Sequence, residues 1–233
     1  MELPPVLVLA GGLGRRLAPL TDSLPKVLVP VGGRPFLDHL LCGLARRRVE
    51  RVVLAVGHLA DQIERHVGDG RAYGLAELRW SRELHPLGTG GAIRHALPML
   101  SETFIVQNGD TLLELDLEAL VGLHLERAAP ATLAVTHVPD RGRYGAVQVE
   151  RGRVIHFDEK RPDAGPGLIN AGVCAVSRAR FEQDTPSSSP FSFERELLPR
   201  WAGQIAAFET RGLFADMGTQ EGLADLESQI AGS

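Results

Sequence analysis

The sequence predicts an α/β protein with a three-layer, αβα, Rossmann-like arrangement around a predominantly parallel mixed sheet. Apolar runs such as Val6–Leu9 and Arg51–Val56 are continuous rather than alternating, which is typical of strands buried on both faces. Segments with apolar residues at helical spacing, such as Phe36–Leu44, separate these runs. Because strands alternate with helices from Val6 to Gln107, we expect the strands of this half to run parallel.

The first half of the chain supplies three strand–helix units and a fourth strand. In chain order we expect a strand at Val6–Leu9, a helix over Phe36–Leu44, a strand at Arg51–Val56, a helix over Leu59–Val67, a strand at Leu75–Trp80, a helix that opens at the Gly88–Gly91 turn and runs to about Leu100, and a strand at Thr103–Gln107. Functional groups gather beyond the carboxyl ends of such strands. Gly11, Gly57 and Asp110 fall at those ends, and Glu83 is expected a few residues beyond its strand.

The second half has a different pattern, with a hairpin and longer loops. The expected elements are a helix over Leu117–Glu126, a strand at Ala131–Val138, hairpin strands at Val147–Val149 and Val154–Phe157, a strand at Leu168–Val176, a Ser/Pro loop at Pro186–Pro190, a helix over Phe193–Trp201, a strand at Ile205–Phe208 and a last helix after Thr219. No internal repeat or long linker divides the chain. We therefore expect one domain, residues 1–233, with a small hairpin-bearing lobe.

Composition excludes several classes of protein. Hydrophobic residues make up 44% of the chain and charged residues 23%, as in ordinary globular proteins, and the net charge of −4 argues against a nucleic-acid partner. The two cysteines, Cys42 and Cys174, form neither a metal motif nor a disulfide framework. The first residues do not resemble a signal peptide, and no apolar run reaches a membrane-spanning length. We expect a cytoplasmic protein; the monomer and the homodimer both stay open.

The segment after the first strand has the composition of a polyphosphate-binding loop. It reads Leu9-Ala10-Gly11-Gly12-Leu13-Gly14-Arg15-Arg16, and Lys26 follows. Glycines allow a sharp turn that leaves backbone N–H groups free for an anion, and the cations add charge. A dinucleotide fingerprint would need glycine or alanine where Leu17 stands, and a P-loop does not place Val27 after its lysine.

Seven short motifs in a fixed order carry a resemblance to a known family. They are Leu9-Ala10-Gly11-Gly12 through Arg16, Pro25-Lys26, Leu87-Gly88-Thr89-Gly90-Gly91, Gly109-Asp110, Glu159-Lys160, Asn170-Ala171-Gly172 and Asp216-Met217-Gly218-Thr219. Over residues 6–226 the chain resembles the sugar-1-phosphate nucleotidylyltransferases. Within that family it is most similar to the heptose-1-phosphate guanylyltransferases, through residues 83–93 and 108–110. The resemblance implies a nucleotidyltransferase fold and the reaction of an NTP with a sugar 1-phosphate, giving an NDP-sugar and pyrophosphate.

The resemblance also implies roles for individual residues. Arg16 would hold the β- and γ-phosphates, and Lys26 would approach the α-phosphate or the incoming sugar phosphate. Asp110 and Asp216 would bind Mg²⁺, since carboxylate oxygens suit this ion. The implied catalytic residues are Arg16, Lys26 and Asp110. The implied nucleotide-binding residues are Leu9, Ala10, Gly11, Gly12, Gly14, Arg15, Glu83, Gly88, Thr89 and Asn108, and the implied sugar-phosphate-binding residues are Gly109, Glu159, Lys160, Asn170 and Gly172.

Two positions depart from the family pattern. Arg15 stands where the family usually has a small hydroxyl residue, and Arg161 separates Glu159-Lys160 from the proline that normally follows directly. The resemblance makes residues 1–115 mainly nucleotide-binding and residues 116–233 mainly sugar-phosphate-binding. No appended left-handed β-helix domain is expected.

The choice of nucleotide depends on Glu83. An ionised carboxylate only accepts hydrogen bonds, and guanine offers adjacent N1–H and N2–H₂ donors, whereas uracil offers one. This favours GTP. The resemblance implies D-glycero-α-D-manno-heptose 1-phosphate as the acceptor, for surface-glycan synthesis. Mannose 1-phosphate with GTP and an amino-sugar 1-phosphate with UTP stay open. A regulatory subunit that senses nucleotide sugars is disfavoured because Arg16, Lys26 and both aspartates are present.

Overall fold

The computed structural model describes residues 2–158, 161, 165–186 and 190–231. The strands are β1 (Val6–Leu9), β2 (Pro30–Val31), β3 (Arg34–Pro35), β4 (Arg51–Val56), β5 (Glu77–Arg82), β6 (Thr103–Asn108), β7 (Thr111–Leu113), β8 (Ala131–Val138), β9 (Ala146–Glu150), β10 (Arg153–Asp158), β11 (Gly167–Ser177), β12 (Ile205–Thr210) and β13 (Phe214–Asp216). The helices are α1 (Phe36–Arg46), α2 (Ala60–Val67), α3 (Gly88–Ala96), α4 (Leu117–Arg127), α5 (Arg178–Asp184), α6 (Leu198–Arg200) and α7 (Gln220–Ala231).

Nine of these strands form one mixed sheet, in the order β5-β4-β1-β6-β11-β8-β12-β10-β9. The strands β5, β4, β1 and β6 pair in parallel, as the strand–helix alternation predicts. The long strand β11 runs antiparallel to both β6 and β8, while β12 returns parallel to β8. The α/β class with a mixed sheet is therefore confirmed, but parallel pairing predominates only in the first half.

Helices cover the sheet on both faces, which confirms the three-layer arrangement. Along β1, Val6 and Val8 belong to a buried cluster with residues of α1, α2, α4 and α7, whereas Leu7 belongs to a second cluster with residues of α3, α5 and 191–201. We call these sides the α1 face and the α3 face. A strand that is buried on both sides has no polar face, which explains its continuous apolar sequence.

Several elements differ from the prediction. Strand β5 ends at Arg82, so Glu83 follows it directly, and its predicted place a few residues farther along is wrong. The expected helix over 193–201 is a π-helical turn, Phe193–Leu197, continued by α6. The pairs β2–β3 and β7–β13 and helix α5 were not predicted. None of the helices in the described ranges is long and apolar enough to cross a membrane.

Candidate active site

A cleft of about 1120 Å³ opens at the carboxyl ends of β1, β4, β5 and β6 and extends over β11. It gathers most of the residues that the sequence singled out. The cleft is lined by Leu9, Ala10, Gly11, Gly12, Gly14, Arg16, Lys26, Glu83, Gly88, Thr89, Asn108, Gly109, Asp110, Asn170, Gly172 and Asp216. Arg15 is exposed but is not among the lining residues, and Glu159 and Lys160 lie outside the described residues.

The glycine loop packs closely against the segment that carries Lys26. Gly14 has φ +64°, and a Cβ placed on it would lie 2.8 Å from Cγ2 of Thr21 and 3.1 Å from Cβ of Lys26. The Thr21 hydroxyl donates a hydrogen bond to the Gly14 carbonyl at 2.9 Å. Leu17, directly after the arginines, is fully buried and anchors the loop to the core. Glycine at position 14 thus allows the loop and Lys26 to share one edge of the cleft.

Arg16 is exposed within the cleft, and its side chain has no hydrogen-bond or ion-pair partner among the described residues. Arg15 precedes it in the same short helical turn, Arg15–Leu17, yet lies outside the cleft. The structure therefore distinguishes the two adjacent arginines. Of the two, Arg16 is the one that lines the cleft, and the implied nucleotide contact of Arg15 stays a prediction.

The two aspartates of the candidate metal site are brought together by the short strands β7 and β13. Asp110 precedes β7, and Asp216, at the end of β13, pairs in register with Thr111. The backbone N–H of Met217 donates to the Asp110 carbonyl at 3.0 Å. The Asp110 carboxylate accepts a hydrogen bond from Lys26 Nζ, so the lysine and both carboxylates form one group.

The charges in this group are incompletely compensated. Burial raises the pKa of Asp216, the negative charge of Asp110 raises it further, and the Gly218 N–H, Lys26 and Arg143 oppose the shift. Burial is the largest cause of the raised pKa and repulsion between the two carboxylates is the second, so an added positive charge would stabilise the ionised pair. A divalent cation at this site would supply that charge. No group of three or more His, Cys, Asp or Glu side chains suited to a metal occurs in the described ranges, so the protein offers this site two carboxylates.

Glu83 lies at the end of β5, beside the glycine loop. Its backbone N–H donates to the Val56 carbonyl at 2.8 Å, and its Oε2 accepts from the Leu87 N–H at 3.1 Å. Oε1 is 3.6 Å from where a Cβ on Gly11 would lie. Burial raises the pKa of Glu83, while the Leu87 N–H and His95 lower it. One oxygen is thus held by the backbone, and the other faces the cleft beside the loop.

The second glycine-rich turn, 88–91, is a packing surface for the segment that follows residue 190. A Cβ on Gly88 would lie 2.4 Å from the Phe191 carbonyl oxygen, and one on Gly90 would lie 2.1 Å from the Phe191 ring. The Thr89 hydroxyl donates to Glu194 and accepts from the Phe193 N–H. The Thr89 hydroxyl thus joins this segment to the cleft, and its implied contact with the nucleotide stays a prediction.

The far end of the cleft is formed where β11 approaches the end of β6. Gly172 has φ +75°, and a Cβ on it would lie 2.9 Å from Asn108 Nδ2. The Asn170 side chain accepts from the Gly172 N–H at 2.9 Å. The register of β11 against β8 shifts between Asn170 and Cys174, which bends the strand at this point. The same close approach occurs at Gly109, where a Cβ would lie 2.4 Å from the Leu9 carbonyl oxygen.

Some lining residues escaped the sequence analysis. They include Tyr144, Gly145, Phe157, Asp158, Ser192, Glu194, Arg195 and Phe214. Tyr144 packs edge-on against Phe214, with ring centroids 5.4 Å apart, and its hydroxyl accepts from Arg143. Most of these residues come from loops and strand ends, and Glu194 and Arg195 come from the short π-helical turn, so no apolar periodicity marks them. The one available signal was the pair Tyr144-Gly145 directly before a strand.

Comparisons with known proteins agree with this geometry. The model of the nucleotidyl transferase family matches residues 5–232. A mannose-1-phosphate guanylyltransferase from Mycobacterium tuberculosis is 38% identical over 97% of this chain, which spans 66% of that protein. A D-glycero-alpha-D-manno-heptose 1-phosphate guanylyltransferase from Aneurinibacillus thermoaerophilus is 34% identical over 96% of this chain and 97% of its own length. The crystal structure of HddC from Yersinia pseudotuberculosis complexed with GMP-PN has a TM-score of 0.86 and 32% identity, and the match covers 98% of this chain and 100% of that one.

Proposed function

Because this chain belongs to the nucleotidyl transferase family, we propose that it transfers a guanylyl group from GTP to a sugar 1-phosphate. The first acceptor we propose is D-glycero-α-D-manno-heptose 1-phosphate. The second is mannose 1-phosphate, which the 38% identical relative favours and which has the same ring configuration. The observation that carries the proposal is that one cleft is lined by Arg16, Lys26, Asp110 and Asp216.

The reaction needs alignment and charge neutralisation more than a protein nucleophile. A phosphate oxygen of the sugar 1-phosphate attacks the α-phosphorus of GTP; a new P–O bond forms, the bond to the β-phosphate breaks, and pyrophosphate leaves. Both reactants are anions, so the protein supplies cations that hold them in line. We assign the departing pyrophosphate to Arg16, whose guanidinium has no described protein partner, and the α-phosphate region to Lys26.

The carboxylate pair fits a divalent cation. We assign Mg²⁺ to Asp110 and Asp216, because it is usually bound by one or two carboxylates together with substrate phosphates. When bound, Mg²⁺ neutralises the charge that develops on the phosphates during transfer. The raised pKa of Asp216 supports this assignment, since a cation would stabilise the ionised form that the protein alone compensates poorly.

Guanine selection is assigned to Glu83. Its Oε1 has no hydrogen-bond partner in the described part of the chain, and the Leu87 N–H fixes the orientation of the carboxylate. A fixed, ionised carboxylate can accept from both N1–H and N2–H₂ of guanine. The names of the matched guanylyltransferases favour the same nucleotide.

A pyrophosphate-release screen tests the proposal. The full chain is incubated with Mg²⁺, each of the four NTPs, and heptose, mannose, glucose and N-acetylglucosamine 1-phosphates. We expect GTP with one of the two manno-configured acceptors to give a kcat/KM at least tenfold above any other pair. Release with UTP and an amino-sugar phosphate, or no release with any pair, would contradict the proposal.

A further inference from the structure

We infer that Arg195 is a further substrate-binding residue, which holds the phosphate of the sugar 1-phosphate from the wall of the cleft opposite Lys26. This inference rests on the proposed function and names a contact within the same site. It depends on where Arg195 lies, on its lack of a protein partner, and on how its backbone is fixed.

The cleft has two walls, one on each face of the sheet. Asp216 lies between Ala215 and Met217, both buried in the cluster of the α1 face. Phe191 and Phe193 are buried in the cluster of the α3 face, and the segment they anchor carries Arg195 into the cleft. The carboxylate pair and Arg195 thus approach the same space from opposite sides.

Arg195 has acidic neighbours on both sides but pairs with neither. The Glu194 carboxylate accepts from the hydroxyls of Thr89 and Ser192. The Glu196 carboxylate accepts from the Ser192 N–H at 2.8 Å. Within the described ranges, the Arg195 side chain has no hydrogen bond or ion pair and is exposed. Both adjacent carboxylates are engaged elsewhere, so the guanidinium is available to an anion in the cleft.

The backbone of Arg195 is held in place. Its N–H donates to the Ser192 hydroxyl at 3.2 Å, and it lies in the π-helical turn between Phe193 and Leu197, both buried. π-Helical turns often occur at functional sites. The fixed backbone defines the region that the guanidinium can reach, and its planar fork matches two phosphate oxygens.

The position along the sheet favours the acceptor over the nucleotide. Arg16 and the glycine loop follow β1, whereas β11 lies on the far side of β6. The segment of Arg195 packs on the same face of the sheet as β11, because Phe191 and Phe193 share a buried cluster with Cys174, two residues after Gly172. GTP and the sugar 1-phosphate are both anions, and Arg16 and Arg195 have no partners among the described residues. We therefore pair Arg16 with GTP and Arg195 with the sugar 1-phosphate.

The test compares Arg195→Gln with Arg200→Gln by steady-state pyrophosphate release. Arg200 is exposed on the same helical segment, donates to the Asp184 carbonyl and does not line the cleft, so its variant controls for the loss of one charge. We expect Arg195→Gln to raise KM for the sugar 1-phosphate at least tenfold with KM for GTP within about twofold, and Arg200→Gln to change neither. Arg195→Lys should give an intermediate KM, since lysine keeps the charge without the fork.

The outcomes separate the inference from the proposed function. Wild-type protein that turns over no GTP and sugar 1-phosphate pair overturns the proposed function, and the inference with it. Normal wild-type turnover, with Arg195→Gln unchanged or affected only in KM for GTP, overturns the inference alone. Melting temperatures of all variants are measured, and Arg195→Lys provides the comparison if Arg195→Gln folds poorly.

Discussion

The packing of Phe191 on α3 makes Gly90→Ala a quantitative test of how the α3-face wall of the cleft is built. An alanine Cβ at position 90 would lie 2.1, 2.4 and 2.6 Å from three atoms of the Phe191 ring, against a normal contact of about 3.5–4.0 Å. The ring cannot move away easily. It is buried, the Phe181 ring lies 6.4 Å from its centroid, and the Arg94 guanidinium lies 5.3 Å from it.

The expected magnitude follows from two opposing effects. Overpacking costs about 1–3 kcal/mol, and so severe an overlap belongs at the upper end. Replacing a glycine in a helix by alanine raises the free energy of unfolding by about 1 kcal/mol. The free energy of unfolding should fall by about 2 kcal/mol, which lowers the melting temperature by about 4–8 °C for a chain of this size. Because the displaced segment carries Arg195, KM for the sugar 1-phosphate should rise as well.

Gly122→Ala is the matched control for this change. Gly122 lies inside α4, and a Cβ there finds no atom within 4 Å in the described part of the chain. This variant should gain about 0.5–1 kcal/mol, so the two glycine substitutions have opposite signs. Urea denaturation followed by circular dichroism measures both. A Gly90→Ala protein as stable as Gly122→Ala would refute the described packing.

The remaining predictions concern single charges in the cleft. Glu83→Gln should lower the GTP-over-UTP ratio of kcat/KM by about tenfold or more, and an unchanged ratio would remove its role in base selection. The pKa of Glu83 is raised above its ordinary 4.5. As the pH falls toward this raised pKa, the carboxylate becomes protonated, so KM for GTP should rise in wild type and more weakly in Glu83→Gln. Asp216→Asn should melt at a higher temperature than wild type without metal at pH 7. Because the pKa of Asp216 is higher in the folded than in the unfolded protein, ionisation of this carboxyl destabilises the fold at pH 7. This destabilisation is lost when the pH falls below 3.8, the ordinary pKa of an aspartate. Added Mg²⁺ should then stabilise wild type but not Asp216→Asn, and equal stabilisation of both would contradict the metal assignment. Arg16→Gln should raise KM for GTP at least tenfold with an unchanged melting temperature, because Arg16 has no described protein partner; a large loss of stability would show a structural role instead.

Much of the fold and of the glycine loop follows from local sequence. Val6–Leu9 and Arg51–Val56 can be buried on both faces only inside a covered sheet, and their carboxyl ends meet at one edge. The loop at Gly14 and the turn at Asp110 could therefore be assigned to one cleft before any coordinates. The resemblance added Asp216, whose nearness to Asp110 has no local signal, since β7 and β13 are three residues each.

What the sequence could not provide depends on contacts between distant segments. The glycines of 88–91 have the composition of an anion-binding turn, but Gly90 is required by the Phe191 ring, and the Thr89 hydroxyl donates to Glu194. Likewise, Arg195 looks like one half of an ordinary surface ion pair until its acidic neighbours are seen to bond elsewhere. Neighbouring residues in the sequence do not reveal which distant group a side chain will hydrogen-bond.

The most direct test of the central claim is the Mg²⁺ dependence of pyrophosphate release by Asp110→Asn, with Asp69→Asn as control. Asn keeps the size of the Asp110 side chain but removes the charge shared with Lys26 and Asp216, whereas Asp69 is exposed and pairs only with Arg71 among the described residues. We predict at least a 100-fold loss of kcat/KM at every Mg²⁺ concentration for Asp110→Asn, a native circular dichroism spectrum, and normal activity for Asp69→Asn. Turnover by Asp110→Asn within a few fold of wild type would contradict the account of the site.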